Sequence, residues 1–175
     1  AGDLAGSMEK LGAAVVLDGS RADLAADLGV VCQAAGDLAG AEQHLARAVD
    51  IEPENPGIAY NFARVLVALE RPEEAEALYR KVIKLDSNHA AAHNNLGNAL
   101  VARGQLDQAI AYFTRALQLK GTYAEAHNNM GIALGLQGRS EEAVSHFRQA
   151  LLLRPDFAAA RNNLAIARRS KSSPR

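Results

Sequence analysis

Residues 90–123 read AAAHNNLGNALVARGQLDQAIAYFTRALQLKGTY, and residues 124–157 read AEAHNNMGIALGLQGRSEEAVSHFRQALLLRPDF. The second stretch aligns with the first without a gap, at a spacing of 34 residues. The same register runs back to repeats that begin at Ala22 and Pro56, and forward to a partial repeat that begins at Ala158. A fixed period of this length indicates repeated supersecondary motifs that stack on their neighbours.

Residue size recurs within the repeat, numbered here from position 1 to position 34. Position 8 is always small, position 20 is alanine in every complete repeat, and position 24 is bulky. Small residues let two helices approach closely, and the bulky residue fills the space beside them. The positions are occupied by Gly29, Ala63, Gly97, Gly131 and Ala165; by Ala41, Ala75, Ala109 and Ala143; and by Leu45, Tyr79, Phe113 and Phe147.

Helix boundaries recur in the same register. Gly36, Gly104 and Gly138 stand at position 15, where a first helix is expected to end. Pro53 and Pro155 stand at position 32, after the second helix. Alternating strand patterns are absent from the sequence, so the fold class is predicted to be all-α.

This period and pattern resemble the tetratricopeptide repeat family. The resemblance implies a right-handed solenoid of helical hairpins with about ten helices, which acts as a non-catalytic scaffold for protein binding. We expect a single domain of this kind over residues 1–175. Its parts are a half-repeat at 2–21, full repeats at 22–55, 56–89, 90–123 and 124–157, a capping helix at 158–169 and a basic tail at 170–175.

The two ends differ in their expected surfaces. Residues 2–17 match only the second helix of a repeat, which predicts exposed apolar residues at Leu4, Leu11, Ala14, Val15 and Leu17. Such a surface suggests an interface or a truncation. In the last helix the packing positions 4 and 11 hold Arg161 and Arg168, which indicates a solvated cap.

A candidate binding face follows from the helical wheel of the first helices. Positions 2, 6, 9 and 13 lie opposite the packed positions, and the family resemblance places them on the concave face. Position 6 holds asparagine four times, although asparagine is a weak helix former. An amide offers donors and an acceptor, so the row suits the main chain of an extended peptide. The predicted contacts are Asn61, Asn95, Asn129 and Asn163 for the backbone, with Arg64, Asn94, Asn98, Asn128, Ile132 and Ile166 for specificity.

The row resembles the asparagine ladder in the tetratricopeptide superhelix of O-linked N-acetylglucosamine transferases. That resemblance implies that substrate polypeptide is held by its main chain. Asp27 interrupts the row in the first complete repeat. An alternative is that the asparagines have a structural role and bond neighbouring helices instead of a partner.

Several other site classes are disfavoured. His89 and His93 are four residues apart, but a turn and a packing position explain them better than a metal site, and no cofactor is expected. The 19 basic and 20 acidic residues nearly cancel, so nucleic acid is not an expected partner. The sequence contains no apolar run of membrane-spanning length. One cysteine fits a reducing compartment, so we expect a cytoplasmic protein, and the composition suggests a bacterial source.

Three functions remain open at this stage. The leading one is a non-enzymatic scaffold that binds an extended protein segment. The second is the substrate-recruiting arm of a larger enzyme such as a glycosyltransferase. The third is self-association through residues 2–17.

Overall fold

The computed structural model describes the backbone of residues 3–172 and the side chains of residues 3–169. The described residues form ten α-helices and no strand, which confirms the all-α class. The helices are α1 (Leu4–Leu17), α2 (Ala22–Ala35), α3 (Leu38–Ile51), α4 (Pro56–Ala68), α5 (Pro72–Leu85), α6 (Ala90–Ala102), α7 (Leu106–Leu119), α8 (Ala124–Leu136), α9 (Ser140–Leu153) and α10 (Ala158–Ser172).

The chain divides into two compact units, residues 1–87 (unit 1) and residues 88–175 (unit 2). In unit 1, α2 pairs with α3 and α4 pairs with α5, while α1 packs on α2. In unit 2, α6 pairs with α7 and α8 pairs with α9, while α10 packs on α9. The pairs α2–α3, α4–α5, α6–α7 and α8–α9 each consist of the first and second helix of one repeat.

The close approach at position 8 is confirmed by the packing. A Cβ atom added at Gly97 would lie 2.5 Å from the Phe113 ring, and one added at Gly131 would lie 2.6 Å from the Phe147 ring. Phe113 is fully buried, and Phe147 is nearly so. Glycine at position 8 therefore makes room for the aromatic residue at position 24 of the same repeat.

The turns at position 15 also follow the sequence pattern, with one difference. Gly36, Gly104 and Gly138 have positive φ angles of 84°, 70° and 78°. In the repeat that lacks this glycine, Glu70 takes the same left-handed conformation, at φ 59°. Pro72 then begins α5, as expected for proline in a first helical turn.

We expect Glu70→Gly to stabilise the protein by about 1 kcal/mol. A left-handed conformation costs an L-residue about 1–2 kcal/mol, and the extra freedom of glycine in the unfolded chain offsets part of the gain. Urea denaturation followed by circular dichroism measures the change. The converse substitution Gly104→Ala is expected to destabilise the protein, and a stabilising effect there would contradict this interpretation.

Two predictions about the ends need correction. Val15 is only 6% exposed and belongs to the core of unit 1, because the side of α1 that carries Val15 faces α2. Leu4 and Leu17 are exposed, as expected. Arg161 and Arg168 are exposed as expected, but α10 continues through Ser172 instead of ending at residue 169. Residues 1–2 and 173–175, in the predicted half-repeat and basic tail, lie outside the described residues.

Candidate functional site

The predicted asparagines of unit 2 lie on α6, α8 and α10, which are the first helices of three successive repeats. Asn94 and Asn128 are buried, with 3% and 5% of their surface exposed. Asn95, Asn129 and Asn163 are half-buried. Each buried asparagine directly precedes a half-buried one in the sequence, so the two differ by one step around the helix.

These five residues form one continuous hydrogen-bonded series, called here the amide chain. Asn163 Nδ2 donates to Asn128 Oδ1 over 2.9 Å, and Asn128 Nδ2 donates to Asn129 Oδ1 over 3.3 Å. Asn129 Nδ2 donates to Asn94 Oδ1 over 3.1 Å, and Asn94 Nδ2 donates to Asn95 Oδ1 over 3.2 Å. The amide chain thus links α10 to α8 and α8 to α6.

The amide chain explains why a weak helix former stands in the middle of these helices. Its members bond neighbouring helices, as the structural alternative requires. A side-chain amide has two N–H donors and an oxygen with two lone pairs. The bonds to Asn94 and Asn128 use one donor and one lone pair of Asn129, so this half-buried side chain retains capacity for a further partner. A structural role and a binding role are therefore compatible.

Apolar side chains lie next to the half-buried amides on α8 and α10. Ile132 and Ile166 follow Asn129 and Asn163 by three residues, a spacing that makes them neighbours on a helix surface. Ile132 packs partly against the core of unit 2, while Ile166 is 65% exposed. Leu136, one turn beyond Ile132, is 62% exposed and was missing from the predicted set. Its place at position 13 is the signal that identifies it.

The remaining predicted residues are placed as follows. Asn98 is exposed on α6, one turn beyond Asn95, and adds a polar group to that side of unit 2. Asn61 is half-buried and Arg64 is exposed, both on α4 of unit 1. Of the ten predicted residues, the structure joins five in the amide chain and places three beside it in unit 2. Asn94 and Asn128 lie beneath the surface instead of on it.

A pair of histidines connects α8 to α9. His127 Nδ1 lies 3.1 Å from His146 Nδ1, and His127 Nε2 lies 3.2 Å from the Gly121 carbonyl oxygen. A carbonyl oxygen only accepts, so Nε2 of His127 carries the hydrogen and its Nδ1 accepts from His146 in the neutral pair. Burial lowers the pKa of both rings, and the neighbouring His127 lowers the pKa of His146 further.

This pair predicts a dependence of stability on pH. The folded pKa values lie below the usual 6.5, so the unfolded chain binds more protons than the folded chain as pH falls. The contribution to stability is complete above pH 6.5 and is lost as pH falls through the lowered values. Urea denaturation at about pH 5 and about pH 7.5 measures it. His146→Leu should reduce the difference between the two conditions, and an unchanged difference would exclude the pair as its source.

Other candidate chemistry has local explanations. His89 Nδ1 accepts a hydrogen bond of 3.1 Å from the Ala92 backbone and thereby caps α6. His93 is buried beside Tyr112, with ring centroids 5.8 Å apart. In the part of the chain that the structure describes, no group of three or more His, Cys, Asp or Glu residues is placed to hold a metal ion. Over the same residues, no helix has the length and apolar character needed to cross a membrane.

Comparison with protein families then decides the assignment. A model described as tetratricopeptide repeat matches residues 33–100, and a second with the same description matches residues 88–156. The chain belongs to the tetratricopeptide repeat family. Its helix order and its position 8 packing agree with this repeat. No curated protein matches the chain.

Solved tetratricopeptide repeat structures share the fold. YrrB, described as a protein with an unusual peptide-binding site, is 25% identical, with a TM-score of 0.75 over 91% of this chain and 82% of YrrB. MamA from Desulfovibrio magneticus is 22% identical, with a TM-score of 0.77 over 86% of this chain and 85% of MamA. The Cut9–Hcn1 structure is 18% identical, with a TM-score of 0.86 over 97% of this chain and 34% of that chain. The last two likenesses establish the fold alone.

Proposed function

We propose that this tetratricopeptide repeat protein binds an extended polypeptide segment along the face formed by α6, α8 and α10. Proteins built from this repeat are typically interaction modules, which supports a general role as a protein-binding scaffold. The observation that carries the finer proposal is the row of half-buried amides at Asn95, Asn129 and Asn163, one on each successive first helix. The likeness to YrrB, a structure described by its peptide-binding site, supports it.

The chemistry of the row suits a polypeptide main chain. Every residue of an extended segment other than proline carries one donor and one acceptor. A side-chain amide carries the same two groups, so one asparagine satisfies both atoms of one backbone unit. Successive residues of an extended segment point their N–H and C=O groups to alternate sides, so the amides of the row pair with residues that share one side of the segment.

The apolar residues beside the amides add a preference for side chains. Leu136 and Ile166 are both largely exposed on this face, and burying them against a partner removes apolar surface from water. On α6 the corresponding neighbour is Asn98, which is polar. We assign the apolar side chains of the partner to the α8 and α10 part of the face, and polar ones to the α6 part.

The test is a pull-down from lysate read by mass spectrometry, with Asn129→Ala/Asn163→Ala as the comparison. The matched control is Asn162→Ala, because Asn162 is an exposed asparagine on α10, adjacent to the amide chain but outside it. Partners that bind the parent and the control but not the folded double variant would support the proposal. Partners retained equally by all three proteins would refute the role of the amides.

In unit 1, Asn61 and Arg64 hold repeat positions 6 and 9, and we assign them the same roles on α4. Asn61 offers a half-buried amide to a backbone, and the exposed Arg64 offers a cation to an acidic side chain. The variants Asn61→Ala and Arg64→Ala test unit 1 separately. Arg64→Ala should weaken binding more at low salt than at high salt, because salt screens an exposed ion pair.

Self-association is a second candidate, and exposed apolar residues on α1 favour it. Val16 and Leu17 are 86% and 88% exposed at the end of this helix. A second copy of the protein that covered these two apolar side chains would remove their surface from water and thereby stabilise a dimer. Light scattering across protein concentrations tests this, with Val16→Ser/Leu17→Ser as the variant. A parent mass that stays monomeric at every concentration would rule this candidate out.

A further inference from the structure

We infer that the amide chain fixes the direction of the bound segment, with its amino end over α10 and its carboxyl end over α6. Asn94 and Asn128 are the positioning residues, since they act through the surface amides and not on the partner. This inference rests on the proposed function, because it specifies how the same face is used. It starts from the direction of the hydrogen bonds.

The surface amides of Asn129 and Asn163 point the same way. Asn129 on α8 directs Nδ2 toward Asn94 on α6, and Asn163 on α10 directs Nδ2 toward Asn128 on α8. In both residues the amino edge therefore faces the preceding repeat. The carbonyl edge of Asn129 is held at the other side by Asn128 Nδ2.

Buried partners keep this orientation from reversing one residue at a time. If Asn129 alone turned over, its oxygen would face the oxygen of Asn94, and its amino group would face the amino group of Asn128. Two hydrogen bonds would become two repulsive contacts beside atoms that are nearly sealed from water. All members of the amide chain would have to turn together, so the surface amides behave as one aligned row.

An aligned row distinguishes the two directions of a strand. In an extended residue the N–H and the C=O point to the same side, with the N–H nearer the amino end. A surface amide that pairs with such a residue accepts from its N–H and donates to its C=O. Because Nδ2 of Asn129 and Nδ2 of Asn163 face the preceding repeat, the backbone C=O that pairs with each of these amides lies on its α6 side and the backbone N–H lies on its α10 side. The segment then runs from α10 to α6, opposite to the order of the repeats.

The experiment is photocrosslinking with two synthetic peptide pools of random sequence without proline. Each peptide is about ten residues long, which spans the three helices at about 3.3 Å per residue. One pool carries a benzophenone at its amino end and the other at its carboxyl end. Mass spectrometry locates the crosslinks on α6 or α10 of the full-length protein. We expect the amino-end label on α10 and the carboxyl-end label on α6 in a roughly tenfold excess, a ratio that corresponds to about 1.4 kcal/mol between the two directions.

Variants separate positioning from mere stability. Asn94→Ala and Asn128→Ala both keep the surface amides of Asn129 and Asn163. The first removes the acceptor of Asn129 Nδ2. The second removes the acceptor of Asn163 Nδ2 and the donor to Asn129 Oδ1. In folded protein, each variant should still crosslink to the face, with the directional ratio reduced toward one. Asn162→Ala, outside the amide chain, should keep the ratio of the parent. A variant that is only less stable would lose signal from both pools equally.

The outcomes separate this inference from the proposed function. Crosslinks on the face with equal or opposite end preferences in the parent would overturn the direction while leaving peptide binding intact. A ratio that persists in folded Asn94→Ala and Asn128→Ala would overturn the positioning role. The absence of crosslinks on α6, α8 and α10 would overturn both the inference and the proposed function.

Discussion

Gly97→Ala is expected to lower the free energy of unfolding by about 1–3 kcal/mol, although alanine is the better helix former. The new methyl group would stand 2.5 Å from Phe113 Cε1 and within 2.9 Å of two further ring atoms. Overpacking of a filled core costs about 1–3 kcal/mol, whereas replacing glycine in a helix gains at most about 1 kcal/mol. The steric cost is the larger effect because Phe113 is fully buried and its ring has no solvent to move into.

The cause can be isolated with a double variant and a glycine control. Phe113→Leu shrinks the ring site, so the cost of Gly97→Ala should be smaller in that background, with a coupling of about 0.5–3 kcal/mol. At Gly12 on α1 an added Cβ meets nothing within 4 Å, so Gly12→Ala should stabilise the protein by up to about 1 kcal/mol. Urea denaturation of all four variants measures these differences. Simple additivity of the two changes in α6 and α7 would show that the ring is not the obstacle.

Asn128→Ala is expected to cost about 2 kcal/mol of stability. It removes the acceptor of Asn163 Nδ2 and the donor to Asn129 Oδ1. Each such bond contributes about 0.5–1.5 kcal/mol, and a partner left without one in a buried setting costs about 1–3 kcal/mol. Because Asn129 and Asn163 are half-buried, water can replace part of their lost hydrogen bonding. The expected loss of stability therefore lies toward the lower end of these ranges.

The control for this substitution is Asn162→Ala on α10. Asn162 is exposed and lies outside the amide chain, so its replacement should change the free energy of unfolding by less than about 0.5 kcal/mol. Equal effects of the two substitutions would mean that the amide chain contributes nothing beyond the intrinsic helix preference of asparagine. The comparison uses the same residue type and the same new residue at both sites.

Local sequence signals were sufficient for most of the fold. Glycine at position 15 marks a left-handed turn because few other residues adopt positive φ without strain. Small residues at position 8 opposite bulky ones at position 24 indicate close packing, because their volumes are complementary. Glu70 shows where this reasoning ended. The turn is held by the helices on both sides of it, so a residue without glycine's freedom takes the same φ.

The candidate site was harder to predict than the helices. The wheel placed position 6 on a free face, and the structure makes Asn95, Asn129 and Asn163 half-buried, which fits the edge of that face. Position 5 stands at the boundary of the wheel, and the helix alone does not decide its burial. Asn94 and Asn128 are buried because the next repeat packs over this side.

The repeat period, the all-α class and the turns at Gly36, Gly104 and Gly138 could be predicted from the sequence, because they follow from residue patterns within about one turn or one hairpin. Three features emerged only from the packing of the helices: the pairing of the amides, the burial of Val15 in the core of unit 1, and the contact between His127 and His146. Such pairs join residues on different helices. Their distances depend on how the helices pack against each other, and a pattern read along one helix does not contain that information.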